Sequence, residues 1–194
     1  MTAPKLDRSN IVEFIADIFE RRGAESYLGE AVTMSEHMLQ GAVLAEREGA
    51  PEELVAAALL HDIGHYTSEF GTMSLGDERD NYHEEAGAHV LEPFFPPVIT
   101  ECVRLHVPAK RYLCATDKGY YDRLSEASKH TLMLQGGPMS AEEVREFEKN
   151  PHHREAVRVR IWDDGGKKPG MVTPEFRHYV PLLQRVVARQ DHTG

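Results

Sequence analysis

The segment His61-Asp62-Ile63-Gly64-His65 carries three ionisable side chains directly after a run of almost wholly apolar residues, 54–60. A buried charge without a partner costs several kcal/mol or more, so ionisable groups at the end of an apolar helix need a partner. A metal ion would satisfy this need, because imidazole and carboxylate groups are common metal ligands. His65 lies one helical turn beyond His61 and would share its face. The segment therefore predicts a metal site at the end of a buried helix.

Other potential ligands of the same chemical types are spread along the chain: His37, His83, His106 and Asp163. Each has an ordinary structural explanation when it is taken alone. His37 lies on an apolar helix face, where a histidine is usually a core residue, and Asp163 precedes two glycines as a turn residue would. Their significance therefore depends on whether the fold brings them to His61 and Asp62.

The elements that must position these residues are predicted to be helices. Apolar residues recur at helical spacing, and the S/T-x-x-E pattern of a capping box occurs at Thr33–Glu36 and at Ser140–Glu143. Glycine and proline residues indicate where the helices end. The predicted helices are 11–23, 33–49, 51–65, 81–92, 98–106, 125–135, 140–150, 155–162 and 174–187, with a loop at 67–81 and irregular chain at 107–124. The sequence thus predicts an all-α protein of one domain, residues 1–194.

Composition limits the possible partners and compartment. The formal net charge of −10 argues against nucleic acid, since phosphate backbones are bound by clustered Lys and Arg. The chain has two cysteines, Cys102 and Cys114, with neither CxxC spacing nor a disulfide framework. This use of cysteine is typical of proteins in a reducing cytoplasm. No apolar run approaches the ~18 residues of a membrane span, and the N-terminus does not resemble a signal peptide. We expect a cytoplasmic protein that needs no nucleic acid, membrane or obligate protein partner.

The candidate ligands follow the order and rough spacing H…HD…H…H…D of the HD superfamily: His37, His61, Asp62, His83, His106 and Asp163. This resemblance implies an HD-domain helical bundle around a dinuclear metal site, in which Asp62 bridges two ions. It assigns His37, His61 and Asp163 to one ion, and His83 and His106 to the other. Imidazole and carboxylate ligands without a thiolate suit iron, manganese or similar ions.

Further segments narrow the resemblance to one branch of the superfamily. They are Tyr27–Glu30, Leu59–Tyr66, His106–Leu113, Leu124–Ser128, Gln135–Met139 and Trp162-Asp163. Together they resemble the diiron oxygenases that cleave the carbon–phosphorus bond of 1-hydroxyphosphonates. The resemblance implies two iron ions, Fe(II)/Fe(III), with O2 as co-substrate. The implied substrate is (R)-1-hydroxy-2-(trimethylammonio)ethylphosphonate, which would yield glycine betaine and phosphate, or 2-amino-1-hydroxyethylphosphonate, which would yield glycine and phosphate.

The resemblance also implies roles for residues around the metals. Tyr27 matches a tyrosine that occupies the dioxygen position until substrate binds, and Glu30 matches a carboxylate that senses the cationic end of the substrate. The expected phosphonate contacts are hydrogen-bond donors: His65, Lys110, Ser128, Thr131 and Arg160. Tyr27, Glu30 and His65 are the expected catalytic residues.

The cationic end of the substrate raises a separate question. A trimethylammonium group cannot donate hydrogen bonds, so it needs aromatic faces and diffuse negative charge. The candidate aromatic walls are Tyr27, Tyr66, Tyr82 and Tyr112, and the candidate acidic residues in the predicted loop are Asp77, Glu78 and Asp80. We expect the trimethylammonium substrate rather than the primary amine.

Two other functions are compatible with part of the pattern. A metal-dependent HD phosphohydrolase uses nearly the same ligands, but Tyr27 with Glu30, and the short chain without a nucleotide-recognition insert, favour the oxygenase. A non-catalytic HD module would serve as a binding or signalling domain. Such modules commonly lack ligands, whereas every expected ligand position is filled here.

Overall fold

The computed structural model describes residues 5–67 and 80–189, and these form helices without any β-strand. The α-helices are α1 (Ile11–Arg22), α2 (Met34–Arg47), α3 (Glu52–Leu60), α4 (Gly64–Thr67), α5 (His83–Leu91), α6 (Pro97–Thr116), α7 (Tyr120–Arg123), α8 (Glu126–Leu134), α9 (Ala141–Phe147), α10 (His153–Gly165) and α11 (Val180–Arg189). A 3₁₀ helix, Phe176–Tyr179, precedes α11. The predicted all-α class is confirmed.

Both predicted capping boxes form. The Thr33 hydroxyl accepts a hydrogen bond from the backbone N–H of Glu36, and the Glu36 carboxylate accepts one from the N–H of Thr33. Ser140 and Glu143 make the same reciprocal pair at the start of α9. Each box satisfies backbone donors that the first turn of a helix leaves unpaired, so the pattern correctly locates both helix starts.

The predicted helix over 51–65 is interrupted at the metal motif. Helix α3 ends at Leu60, and a tight turn leads into the short helix α4. Within the turn, backbone bonds join residues three apart, as from His65 N to Asp62 O (3.0 Å). This tighter winding lets the adjacent side chains of His61 and Asp62 face the same buried centre. His65 therefore lies beyond the turn and not on the same helix as His61, which corrects the prediction.

The prediction of irregular chain at 107–124 is also wrong. Helix α6 continues through Pro108 to Thr116, and α7 follows. A proline removes one helical hydrogen bond, but α6 packs against both α5 and α10, and this packing outweighs the loss. The continuation places Lys110 on the same buried helix as His106.

Helices α3, α6 and α10 pack against one another at the centre, α2 packs against α3 and α10, and α5 packs against both α6 and α4. Helix α10 extends three residues beyond the predicted end at Trp162, so Asp163 lies within a helix rather than in a turn. Most of the predicted 67–81 loop, including Asp77 and Glu78, lies outside the described residues. Across residues 5–67 and 80–189, no helix is long and apolar enough to cross a membrane.

Candidate metal centre and anion pocket

The expected metal ligands converge at one buried point, although they come from separate elements. Helix α2 provides His37, the turn after α3 provides His61 and Asp62, and α5, α6 and α10 provide His83, His106 and Asp163. Each of these residues exposes at most 5% of its surface. Such burial of six ionisable groups requires a compensating interaction.

The carboxylate of Asp62 faces two separate pairs of imidazoles. Its Oδ2 lies 3.4 Å from Nε2 of both His37 and His61. Its Oδ1 lies 3.3 Å from Nε2 of His83 and 3.2 Å from Nε2 of His106. Each oxygen thus belongs to a different cluster of nitrogen atoms, which is the arrangement of a carboxylate that bridges two metal positions.

The two positions differ in their remaining ligands. Around the first position, Asp163 Oδ1 lies 3.4 Å from Nε2 of His37, and donor atoms of His37, His61 and Asp163 all lie within 4.8 Å of one another. The second position has His83 and His106, whose Nε2 atoms are 3.1 Å apart. The structure thus brings together the sets that the resemblance implied for each ion.

A backbone or side-chain oxygen behind each ring orients the four histidines. Nδ1 contacts Gly166 O for His37 (2.9 Å), Ala58 O for His61 (2.8 Å), Val103 O for His106 (2.7 Å) and the Asn81 side chain for His83 (3.1 Å). Since these oxygens accept, Nδ1 carries the proton and Nε2 presents a lone pair to the centre. This tautomer is the one that binds a metal through Nε2.

Several buried acceptor atoms at the centre then face one another without a hydrogen. Nε2 of His37 and Nε2 of His61 are 3.0 Å apart, and neither has a proton to share in this tautomer. Asp62 Oδ2 and Asp163 Oδ1 are buried, and no donor in residues 5–67 and 80–189 forms a hydrogen bond with either atom. Cations between these atoms would satisfy all of them at once, so the residues fit two metal ions.

The pKa shifts of the buried carboxylates also indicate that the centre binds cations. Burial opposes ionisation of Asp62, but the neighbouring His61 and further imidazoles hold its pKa well below the usual range. Burial likewise opposes ionisation of Asp163, whose pKa is lowered by Arg160 and Lys167. Ionised carboxylates at this depth attract positive charge, which bound metal ions would supply.

Tyr27 lies against the first metal position. Its ring stacks on the His37 ring, with centroids 3.9 Å apart and planes 14° apart. Burial and the charges of Asp62 and Asp163 raise the pKa of its hydroxyl. A tight turn, in which Glu30 N donates to Tyr27 O (2.7 Å), contains two residues with positive φ, Leu28 and Gly29.

That turn places Glu30 beside Tyr27. Positive φ is rare for a side chain such as that of Leu28, so the turn has a strained backbone, a feature that often marks functional sites. Glu30 Oε1 is buried and lacks a hydrogen-bond donor among the described residues. A buried carboxylate oxygen of this kind favours the approach of a cation.

The expected phosphonate contacts cluster on the α8 and α10 side of the centre. We call Lys110, Ser128, Thr131 and Arg160 the anion pocket; all four are buried. Lys110 Nζ donates to Thr131 Oγ1 (2.7 Å), and a guanidinium nitrogen of Arg160 lies 3.5 Å from Ser128 Oγ. Arg160 also pairs with Asp163 Oδ2 at 2.7 Å. Asp163 therefore connects the anion pocket to the first metal position.

His65 lies outside the anion pocket, on the side of the second metal position. Its ring stacks on the His83 ring, with centroids 4.0 Å apart, and its Nε2 is 3.8 Å from Asp62 Oδ1. Burial and the neighbouring His83 hold the pKa of His65 well below the usual range. A neutral imidazole here is a hydrogen-bonding group rather than a fixed charge.

The candidate aromatic walls are dispersed. Tyr27 is at the centre, whereas the Tyr66 ring packs between Phe19 and Arg22. Tyr82 exposes 59% of its surface, and the Tyr112 hydroxyl donates to Glu148 on the outer surface. Tyr82 and Tyr112 therefore do not wall the buried centre, which corrects those two expectations.

Sequence reasoning missed the residues that hold the site in shape. Tyr120 and Asp164 bind the Arg160 guanidinium, with both the Tyr120 hydroxyl and Asp164 Oδ2 3.2 Å from its Nε. Asn81 supports His83, and Lys167 donates to Ser128 Oγ (2.8 Å). Asp164 could have been suspected from its position beside Asp163. Asn81 lies only two residues before His83, whereas the roles of Tyr120 and Lys167 follow only from packing between distant segments.

Comparison with known proteins agrees with this site. The sequence model of the HD domain matches residues 34–191. The chain belongs to the HD-domain family. This HD protein is 64% identical over 190 residues to [1-hydroxy-2-(trimethylamino)ethyl]phosphonate dioxygenase (glycine-betaine-forming) from Leisingera caerulea. The aligned residues are 98% of this chain and 96% of that protein. It is 43% identical over 175 residues to hydroxymethylphosphonate dioxygenase from Gimesia maris, with 86% and 85% covered.

These relatives confirm the predicted resemblance to oxygenases of phosphonates. The HD-domain relatives and the clustered histidine and aspartate side chains together indicate a metal-dependent enzyme that uses O2. The extent of the domain, residues 1–194, and the roles assigned to single residues stay predictions.

Proposed function

We propose that this HD protein is a diiron dioxygenase that converts (R)-1-hydroxy-2-(trimethylammonio)ethylphosphonate and O2 into glycine betaine and phosphate. The observation that carries the proposal is the anion pocket joined through Asp163 to a candidate dinuclear metal centre. The 64% identity to a glycine-betaine-forming phosphonate dioxygenase supports the same reaction. The carbon–phosphorus bond breaks, and both atoms of O2 enter the products as carboxylate and phosphate oxygens.

The anion pocket would hold the phosphonate beside the metals. Arg160 and Lys110 provide charge, and Ser128 and Thr131 provide hydroxyl groups, for the oxygens of a tetrahedral anion. Because Arg160 also pairs with Asp163, a phosphonate on Arg160 lies next to a metal ligand. The substrate's hydroxyl group and the carbon that carries phosphorus would then face the dinuclear centre.

The residues present suit a mixed-valent Fe(II)/Fe(III) pair held by neutral imidazoles and two carboxylates. His37, His61 and Asp163 would hold one iron, His83 and His106 the other, and Asp62 both. Bound iron would supply O2 activation and oxidation of the substrate carbon. The protein supplies orientation and a buried site from which water is largely excluded.

Tyr27 and Glu30 would couple substrate binding to access at the first position. Tyr27, whose ring stacks on that of His37, would act as a removable iron ligand that blocks this position until substrate arrives. Glu30, two residues beyond Leu28 in the same turn, would attract the trimethylammonium group. Because one tight turn carries both side chains, a cation at Glu30 can shift Tyr27. His65 would donate a hydrogen bond to the bound substrate from the side of the second metal position, opposite the anion pocket.

The proposal is tested with purified, iron-loaded protein. Iron content is measured first, and phosphate release is then followed with each hydroxyphosphonate and with a phosphoester, in air and without oxygen. We expect phosphate and glycine betaine only in air, and faster turnover of the trimethylammonium compound than of 2-amino-1-hydroxyethylphosphonate. Equal phosphate release without oxygen would refute the oxygenase, and release only from phosphoesters would establish an HD phosphohydrolase.

The same assay tests whether the enzyme needs a partner. We propose that the enzyme acts in the cytoplasm on a small organophosphonate and requires no nucleic acid, membrane or protein partner. Full activity of the purified chain in buffer would support the absence of a required partner. Activity that appears only after addition of a cell extract would contradict it.

A further inference from the structure

Asn81 is a buried residue whose side-chain amide contacts the rings of two histidines, His65 and His83. We propose that Asn81 is a positioning residue that fixes the tautomer of His65. It keeps the ring proton of His65 on Nε2, so that this nitrogen donates a hydrogen bond to the substrate and is not available as a ligand of the second metal ion. The inference rests on the proposed function, because His65 serves the same substrate.

Helices α4 and α5 approach so closely that the rings of His65 and His83 stack. A Cβ atom at Gly64 would overlap the backbone carbonyl group of His83, so only glycine permits this approach. The centroids of the two rings are 4.0 Å apart, and their planes differ by 11°. Both rings present Nδ1 to the Asn81 side chain. One amide group therefore contacts two histidines at once.

The Asn81 amide has a defined orientation. Its Oδ1 lies 3.3 Å from the backbone nitrogen of His83 and 3.1 Å from His83 Nδ1. A backbone N–H only donates, so the amide atom that faces it is the oxygen. Tyr82, between the two residues, has a φ of 49°, and this rare backbone conformation turns the chain so that the Asn81 side chain reaches the first residue of α5.

The nitrogen of the same amide determines the tautomer of His65. Asn81 Nδ2 lies 3.5 Å from His65 Nδ1. The amide nitrogen donates and does not accept, so His65 Nδ1 presents a lone pair and the ring proton is on Nε2. His83 has the opposite tautomer, because its Nδ1 donates to Asn81 Oδ1 and its Nε2 faces the second metal position. One amide thus gives two stacked histidines opposite tautomers.

This difference matters because His65 is close enough to the second metal position to compete for the ion. Donor atoms of Asp62, His65 and His83 all lie within 4.8 Å of one another, and His65 Nε2 is 3.8 Å from Asp62 Oδ1. With a lone pair on Nε2, His65 would be available as a further ligand. With a proton there, it donates instead, which suits an anionic oxygen of the substrate. Asn81 thus keeps the substrate-binding histidine distinct from the ligand histidine.

The test removes the Asn81 donor without changing the size of the side chain. Asn81→Asp keeps the oxygen that accepts from His83 and replaces Nδ2 with an acceptor, so the His65 proton should move to Nδ1. His65→Gln is the reference variant, because its amide carries a donor and has no ring tautomer. The wild type, both single variants and the double variant are prepared as full-length, iron-loaded protein. Iron content, kcat and KM are then measured with the trimethylammonium substrate.

The tautomer itself is measured by nitrogen NMR of the histidine rings. For this measurement the full-length protein is loaded with zinc, which is diamagnetic and binds the same types of ligand. The His65 signals are those that disappear in His65→Gln. We expect the His65 proton on Nε2 in wild type and on Nδ1 in Asn81→Asp. A proton on Nδ1 in wild type would overturn the proposal, as would an unchanged tautomer in Asn81→Asp.

The kinetic measurements separate the tautomer from other effects of Asn81→Asp. We expect kcat/KM to fall by about 10- to 100-fold, as loss of a hydrogen bond to a charged group implies, with wild-type iron content. In the His65→Gln background, the same substitution should change kcat/KM by about twofold at most, because no tautomer remains to be altered. An equal fall in both backgrounds would overturn the proposal, since the added charge alone would then explain it.

Two further outcomes are distinguishable. Loss of iron in Asn81→Asp would overturn the proposal, because Asn81 would then act only as a support of the ligand His83. If wild-type protein fails to cleave hydroxyphosphonates, the proposed function fails, while the ring spectra still decide whether Asn81 sets the tautomer of His65.

Discussion

Gly166 offers the sharpest test of how the fold supports the metal centre. A Cβ atom at this position would lie 3.0 Å from His37 O and 3.2 Å from Trp162 O. Both are backbone atoms of packed helices and cannot rotate away, so Gly166→Ala must separate the end of α10 from α2. That shift also lengthens the 2.9 Å hydrogen bond that orients the His37 ring.

The expected magnitudes follow from these contacts. Overpacking against fixed atoms lowers the free energy of unfolding by about 1–3 kcal/mol. Loss of a hydrogen bond that orients a ligand lowers metal affinity by about 10- to 100-fold. Only the first position uses His37, so the second position should keep its affinity. At limiting iron, Gly166→Ala should therefore bind one ion per chain tightly and the other weakly.

A matched control is the neighbouring glycine. Among the described residues, a Cβ at Gly165 would meet only the terminal methyl group of Leu44, at 2.8 Å, and this flexible side chain can move aside. Iron titration and thermal unfolding of Gly165→Ala should therefore resemble wild type. The reasoning is refuted if Gly166→Ala binds two irons with wild-type affinity, or if Gly165→Ala is equally damaged.

Three further predictions concern the same centre. Tyr27→Phe keeps the ring that stacks on His37 but removes the hydroxyl, so iron content should stay near wild type while O2 consumption without substrate rises. An oxygen electrode measures the O2 consumption. Loss of both irons in this variant would contradict the role of Tyr27 as a removable ligand. Burial, followed by the charge of Arg160, lowers the pKa of Lys110 from 10.5 to about 7. The folded state then holds fewer protons than the unfolded state between these values, so wild-type stability should rise with pH across that window relative to Lys110→Met. Denaturant unfolding at several pH values measures the difference, and parallel curves would show that the lysine is not perturbed. Chelation of iron should lower the unfolding temperature because Asp62 and Asp163 lose their counter-charges, and added Fe(II) should restore the original unfolding temperature. Calorimetry measures this temperature. An unchanged value after chelation would argue against metal binding by these carboxylates.

Much of the fold and site followed from local patterns. The capping boxes at Thr33 and Ser140 locate helix starts because their hydrogen bonds join residues only three apart. The HD motif and its spaced histidines indicate a dinuclear site because their order and spacing resemble those of the HD superfamily. The all-α class follows in the same way from the helical spacing of apolar residues.

Predictions from local patterns were wrong at positions where tertiary packing determines the course of a helix or the direction of a side chain. Pro108 predicted the end of a helix, yet α6 continues to Thr116 because it packs against both α5 and α10. The His61–His65 segment reads locally as one helix, but the tertiary structure has a tight turn that directs Asp62 at both imidazole pairs. Tyr82 and Tyr112 have the right chemistry for an ammonium wall and lie on the outside.

By itself, then, the sequence determined the helical class, the types of ligand and their order along the chain, since these depend on spacing and on side-chain chemistry. Only the tertiary structure decided which atoms face one another: the two oxygens of Asp62 towards separate histidine pairs, Arg160 between Asp163 and Ser128, and Lys167 against Ser128. The physical reason is that most of these contacts join helices far apart in the chain. Their distances are set by how the helices pack, which no short stretch of residues specifies.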